Sequence, residues 1–423
     1  MSKDRTLLVG YDLCDDNTQI SCFNQKTGNI ESICMVDDTD NPCIPTLLAV
    51  KEDSKEWLFG KDAIRCQRLL EGVMVDHLVK HTIEKEKITI FGVEFSHESI
   101  WEKYFKKSLS LLKRYYPNDS IQQLVITIER MDPYFVQTIY QALENLGIYK
   151  ERVAIQSHTQ SYIYYALSQK KELWLNDVGL FEFNENGLFY SQISINRKIS
   201  PMVVGVEEKD FSDTLHYNML EQQEETESIS YIFENLAKGA LHKQIISTLF
   251  ITGKGFEGQW PDRVIKELCM GRRVFKGQNL FAHGACYTAK ELKGDKTLEE
   301  FIYFSEDRIP CDITMNVYSD AKIQEAILAK AGTAWYDAGE HFEVIPDQED
   351  ELQIIVKDIL RKEEKRFSVT LEGLSNRPNK TTRISIRTSF VDVNTMVITM
   401  KDKGFGMLFP STNRIWEKRI TLG

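Results

Sequence analysis

Apolar residues in the first half of the chain come in short runs separated by clusters of turn formers. Residues 6–14, Thr6-Leu-Leu-Val-Gly-Tyr-Asp-Leu-Cys, read as a strand ending in a polar turn of Asp15, Asp16, Asn17 and Thr18; residues 19–23 resume as its hairpin partner. Further strands are predicted at 44–50 and 56–60, followed by a helix from about Lys61. A tight hairpin at 88–95 leads to Ser96, which caps an amphipathic helix reaching about Tyr116, with Ile100, Tyr104, Leu109 and Leu112 on its apolar side. The runs Leu124-Val-Ile-Thr-Ile and Val153-Ala-Ile show no polar alternation, as expected of strands covered on both faces. Helices are predicted at 132–146 and 159–167.

At Asp177 the pattern restarts. Residues 177–183 and 188–195 form a second strand-turn-strand unit, copying the opening hairpin. Two such units, each followed by buried strands and helices, predict a duplicated α/β lobe with a cleft between the copies: lobe I at about 1–168 and lobe II at about 169–303. After a junction at 304–308, short alternating strands dominate residues 309–423, and Gly, Pro, Asn and Asp fill their turns. That segment reads as an antiparallel β-sandwich.

Composition narrows the function classes. The chain has 423 residues, 42% hydrophobic and 27% charged, an ordinary globular mix. Its 63 acidic against 52 basic residues give a net charge of −11, which offers no footprint for nucleic-acid backbone or an anionic membrane surface. No apolar run approaches the roughly 18 residues of a membrane helix, and the amino-terminal residues enter a strand without a secretory signal. Eight cysteines without Cys-x-x-Cys spacing read as reduced thiols, so a cytoplasmic protein with no disulfide framework and no metal site is expected. His77 and His81, four apart, lack a third ligand at matching spacing and are expected on a solvated face.

In this order of elements, several motifs acquire a family likeness. Val9-Gly-Tyr-Asp-Leu-Cys-Asp-Asp-Asn-Thr18 resembles the first phosphate motif of the actin-like ATPase superfamily, and of the DnaK-type seventy-kilodalton chaperones in particular. Ile44-Pro-Thr-Leu-Leu-Ala-Val, Phe91-Gly-Val-Glu-Phe-Ser-His-Glu-Ser-Ile100 and Val125-Ile-Thr-Ile are similar to that family's following elements, with Glu129 where a proline would stand. Leu249-Phe-Ile-Thr-Gly-Lys-Gly-Phe-Glu-Gly258 looks like its adenosine motif, and Ala282-His-Gly-Ala-Cys-Tyr-Thr-Ala289 like a later helix. Leu371-Glu-Gly-Leu, Phe390-Val-Asp-Val-Asn394 and Met400-Lys-Asp-Lys-Gly404 are similar to the chaperone substrate-binding β-domain. The resemblance implies a two-lobed actin-like ATPase fold with a reduced second lobe, then a substrate-binding type of sandwich. It places Asp12, Asp15, Asp16, Glu182, Gly187, Gly253, Gly255, Gly258 and Gly284 at a vestigial nucleotide cleft.

The same comparison shows departures at the phosphate turns. Where the family uses glycine and hydroxyl residues to bring backbone N–H groups to phosphate, this chain has Cys14, Asp15 and Asp16, and the second turn carries Asn184, Glu185 and Asn186 ahead of Gly187. A carboxylate facing a phosphate charge at 4 Å costs about 4 kcal/mol at a surface-like dielectric. Ser157 stands where the family has a carboxylate, and residues 196–248 are short for the subdomain that clasps adenine. No Ser-His-Asp or Cys-His nucleophile set can be assembled, so no catalytic residue is assigned. The expectation is a pseudo-ATPase with no cofactor, binding a protein or peptide. The alternative is a divergent chaperone that takes magnesium and ATP, with Asp12, Asp15 and Asp16 around the metal. In the β-domain, Phe342, Val344, Ile345 and Leu352 either line a peptide groove or supply the sandwich core.

Overall fold

The computed structural model describes residues 6–24, 27–35, 41–198, 200–221, 226–304, 308–319, 321–347, 351–359, 363–373 and 377–422. The chain divides into two compact units, 1–202 with 206–301 and 203–205 with 302–423. Of the expected junction at 304–308, residues 305–307 lie outside the described ones. Among the described residues there are eight α-helices, all in the first unit; the second is built of strands. No helix among them is long and apolar enough to cross a membrane.

Two sheets organise the first unit, and they repeat one topology. The first has the order Val153–Ser157, Ser120–Ile128, Thr6–Leu13, Asn17–Asn24, Asn29–Ile33. Its first three strands are mutually parallel, and Thr6–Leu13 pairs antiparallel with Asn17–Asn24 through the opening hairpin. The second runs Arg273–Lys276, Ile246–Thr252, Asp177–Asn184, Gly187–Asn196, Met202–Asp210, again with three parallel strands and one antiparallel hairpin in the same places. Helices recur in step. His97–Tyr115, Pro133–Asn145 and His158–Leu167 follow the first hairpin; Thr226–Ala240, Asp262–Leu268 and Leu280–Leu292 follow the second.

The uninterrupted apolar runs are explained by what covers each face. Side chains alternate across a strand. On one face Tyr11 packs edge-on to Phe105 at 5.6 Å and shares a 2.8 Å hydrogen bond with Ser108, both from helix His97–Tyr115. On the other, Gly10 lets helix Leu280–Leu292 approach so closely that a Cβ there would lie 2.1 Å from the Ala282 carbonyl oxygen. Both faces are therefore dry, and all of Leu7–Leu13 is buried. Trp101, Tyr104, Phe105 and Phe135 complete the core of this lobe; Phe181, Phe183, Phe233 and Phe256 fill that of the other.

The second unit has two four-stranded antiparallel sheets. One has the order Lys322–Ala329, Cys311–Ser319, Glu351–Asp358, Glu363–Thr370; the other His341–Val344, Arg383–Asp392, Thr395–Gly404, Ile415–Thr421. Alternate residues of both, such as Ile313 and Val356 from one and Ile386 and Ile398 from the other, form a single buried cluster. Phe342, Val344 and Leu352 pack against that cluster, so they serve the core instead of lining a groove, and Leu352 sits in the opposite sheet from the other two. Ile345 is exposed. Of the two alternatives, groove or core, strand alternation turns Phe342 and Val344 toward the core.

Candidate functional site

Both sheets of the first unit send the carboxyl ends of their parallel strands to one cleft, where open α/β sheets gather their ligand-binding residues. Asp12 lies at the end of Thr6–Leu13, Glu129 just past Ser120–Ile128, and His158 opens the helix after Val153–Ser157. Glu182 comes from Asp177–Asn184, and Gly253 follows Ile246–Thr252. The cavity they line has a volume of about 330 Å³. Seven carboxylates face it, from Asp12, Asp15, Asp16, Glu129, Glu182, Glu185 and Glu257; the basic residues in its lining are Lys61, Lys254 and His158.

At its floor Asp12 and His158 form a buried ion pair. His158 Nε2 lies 2.8 Å from Asp12 Oδ1, and the two residues are 7% and 3% exposed. The imidazole stacks on Phe281 at 4.0 Å and 12°. Burial disfavours its charge, but Asp12, Glu182 and Glu129 outweigh that and hold the pKa up at about 9. Burial in turn pushes Glu182 up to about 7, with His158 opposing the rise. Glu129 is raised too, chiefly because protein surrounds it on the larger scale although its own surface is open. Cys14 completes the group. Its thiol donates to Asp12 Oδ1 at 3.6 Å, and Sγ lies 3.8 Å from His158 Nε2. Burial and the neighbouring carboxylates push that thiol well up, and the same imidazole nitrogen faces both Cys14 and Asp12. The three therefore do not form a nucleophile relay, which needs a thiolate and two different ring nitrogens.

The other expected cleft residues divide into two sets. Asp15 borders the cavity, but its carboxylate accepts from the backbone N–H groups of Val79 and Lys80 at 3.0 and 3.1 Å and pairs with His77 at 2.7 Å. That pairing raises the His77 pKa. Asp15 thus serves as an anchor for the start of the short helix Leu78–Ile83. Asp16 accepts from the Asn17 side chain at 2.7 Å. Across the cleft, Glu129 accepts from the side chains of Asn184 and Asn186 at 3.2 and 3.1 Å, tying a strand end of one lobe to the hairpin turn of the other. Lys254 lies 3.7 Å from Glu185.

Four of the expected glycines are absent from the cavity lining. Gly187, at φ 111°, packs on Ser212; Gly255 packs on the Phe183 ring; Gly284 packs on the Ser161 carbonyl, where two helices cross. Gly258 stands in open space at φ 85°. Gly253 alone of the set reaches the cleft, at φ 100° against the Phe183 backbone. These glycines are explained by close packing and turns, which a motif comparison cannot distinguish from ligand approach. His77 and His81 do not meet: the first pairs with Asp15 and the second with Glu86.

Sequence reasoning missed His158, Gln19 and Phe281 as cleft residues, and it listed Cys14 only as an obstruction to phosphate. The structure also gathers two sets of metal-capable groups, Asp12 with Cys14 and His158, and Glu129 with His158 and Glu182; within each, the ligand atoms lie within 4.8 Å of one another. No such grouping is visible in the sequence, which assigned no metal ligands. The reason is distance along the chain, since Cys14 and His158 are 144 residues apart and meet only through the parallel register. The one local signal was Cys14, which stands where the resemblance implies a glycine or hydroxyl residue.

A model of a domain of unknown function, DUF8552, matches residues 308–422. No curated protein matches the chain. A second model, described as the C-terminal part of a family of unknown function, DUF5716, matches residues 29–306, well over half of the 423 residues, and the chain accordingly belongs to the DUF5716 family.

Proposed function

We propose that the first unit is a degenerate relative of the actin-like ATPases, of the DnaK-type chaperone plan, and that the protein works as a protein- or peptide-binding scaffold with little or no ATP hydrolysis. The repeated sheet topology, with its cleft at the strand ends, supports the fold assignment. The functional reading is carried by one observation: Asn184 and Asn186, at the turn where the resemblance puts phosphate-binding glycines, are tied across the cleft to Glu129.

The residues present do not fit magnesium–ATP. The first turn offers Cys14 and the occupied carboxylate of Asp15 in place of a glycine cradle. Asp12, which would face the metal, is paired with a cationic His158. The remaining carboxylates would repel phosphate. A scaffold needs accessible contact surface, and in the second unit the turn at 405–409 carries Met407 at 99% and Leu408 at 88% exposure. All eight cysteines are free thiols, which suits the reducing cytoplasm.

The test is direct binding of a fluorescent ATP analogue, read as anisotropy against protein concentration with and without magnesium. The reading predicts no saturable rise in either series. A saturable, magnesium-dependent rise would establish the divergent-chaperone alternative in its place.

A further inference from the structure

We propose that the cleft floor is a binding site for a single zinc-type divalent cation, held directly by Asp12, Cys14 and His158 without any nucleotide. The geometry comes first. The three donor atoms form a triangle with edges of 2.8 Å from nitrogen to oxygen, 3.6 Å from sulfur to oxygen and 3.8 Å from sulfur to nitrogen. A tetrahedral zinc with bonds of about 2.0 Å to nitrogen and oxygen and about 2.3 Å to sulfur sets its donors roughly 3.3–3.6 Å apart. Both sulfur edges are already near that spacing, and the remaining edge has to open by only about 0.5 Å. The Glu129 and Glu182 donors form a separate set with His158, so the fourth position is left to a water.

The donors are held in place before any ion arrives. Asp12 sits within a strand hydrogen-bonded on both sides. The Cys14 amide closes its turn on the Asn17 carbonyl at 3.0 Å. His158 is fixed by its stack on Phe281.

An independent observation points to a missing partner at the same place. Gln19 stands directly opposite Asp12 in the hairpin register, so both side chains share a face. It lines the cleft and is 6% exposed, yet its Oε1 has no hydrogen-bond partner. A buried carbonyl dipole with nothing to accept from is suited to an ion's bound water, and Gln19 would then steady the hydrated side of the site.

The donor set selects the metal. Mixed sulfur, nitrogen and oxygen ligands favour zinc and its borderline neighbours over magnesium or calcium, which take oxygen. Cysteine binds as thiolate and histidine as neutral imidazole, so each releases its proton to solvent as the ion enters. The proposal goes beyond the scaffold reading and does not depend on it.

The test uses the full chain with the exposed thiol removed by Cys269→Ser, stripped with a chelator and titrated with cobalt(II) alone. One ion per chain is expected, with a thiolate-to-cobalt charge-transfer absorption that zinc displaces. Cys14→Ser should abolish that absorption, while Cys43→Ser, at the other thiol of the cleft, should keep it. His158→Gln should weaken binding by at least the roughly 10–100-fold that a lost supporting group costs a metal site. X-ray absorption of the zinc-loaded chain reads one sulfur ligand however the variants fold. No stoichiometric cobalt, an absorption that survives Cys14→Ser, or a sulfur-free shell would overturn the proposal.

Discussion

Two histidines in the first unit are driven in opposite directions by their surroundings. His158, among Asp12, Glu182 and Glu129, is held at about 9 in spite of burial. His283 is lowered to about 4 by burial, with no carboxylate to offset it. Its Nε2 lies 3.0 Å from the Asn279 side-chain amide and 3.3 Å from the Ser32 hydroxyl. Protonating that nitrogen would set donor against donor. Because the folded pKa lies below the usual histidine value of about 6.5, this group's contribution is fully present above pH 6.5 and disappears as pH falls toward 4. Up to about 3 kcal/mol of stability should be lost across that window. Melting curves from pH 7 to pH 4 on the chain and on His283→Gln check this: the variant should show the shallower decline, and parallel declines would contradict it. Histidine surroundings of this kind were not legible in sequence. Nothing near His158 or His283 in the chain announces whether the fold will surround it with carboxylates or with a dry helix seam.

At the scale of elements, legibility followed burial. Covered strands such as Thr6–Leu13 and Ser120–Ile128 stand out as unbroken apolar runs, and helix His97–Tyr115 carries its predicted cap, with Ser96 accepting from Ser99 N; Pro133–Asn145 is capped by Asp132, which accepts from Phe135 N. Two outer strands of the second unit carry a weaker signal. Lys322–Ala329 opens on polar, exposed residues and Ile415–Thr421 is charged through its middle, so neither stands out along its length as a covered strand does. Glycines show how an element's packing decides a substitution. Gly284→Ala would place a Cβ 2.0 Å from the Ser161 carbonyl and force helices His158–Leu167 and Leu280–Leu292 apart. A cost of about 1–3 kcal/mol or more is expected. Gly239→Ala meets nothing within 4 Å near the end of helix Thr226–Ala240, and should be neutral or stabilise by up to about 1 kcal/mol. Chemical denaturation of both variants checks the contrast; equal effects would contradict the packing account.

At the scale of the whole molecule, the duplicated sheet pattern could be read from the restart at Asp177, and the change to strands could be read from the alternation after 309. The cleft's character was only half legible. The departures at Cys14, Asp15 and Asp16 were visible, but their separate fates in the structure were not: one thiol faces a histidine, and one carboxylate anchors a helix start. A polar link between lobes through Glu129, Asn184 and Asn186 joins residues far apart in sequence, and no local pattern encodes it. On the proposed reading, that link and the surrounding carboxylates leave the cleft unable to hold a triphosphate. The most direct test is thermal unfolding of the full chain with ATP at millimolar concentration, with and without magnesium. A genuine site at a hundredfold excess over its dissociation constant would add about 2.7 kcal/mol, which is an upward shift of several degrees. The account predicts superimposable curves at every nucleotide concentration; an upward shift that requires magnesium would contradict it.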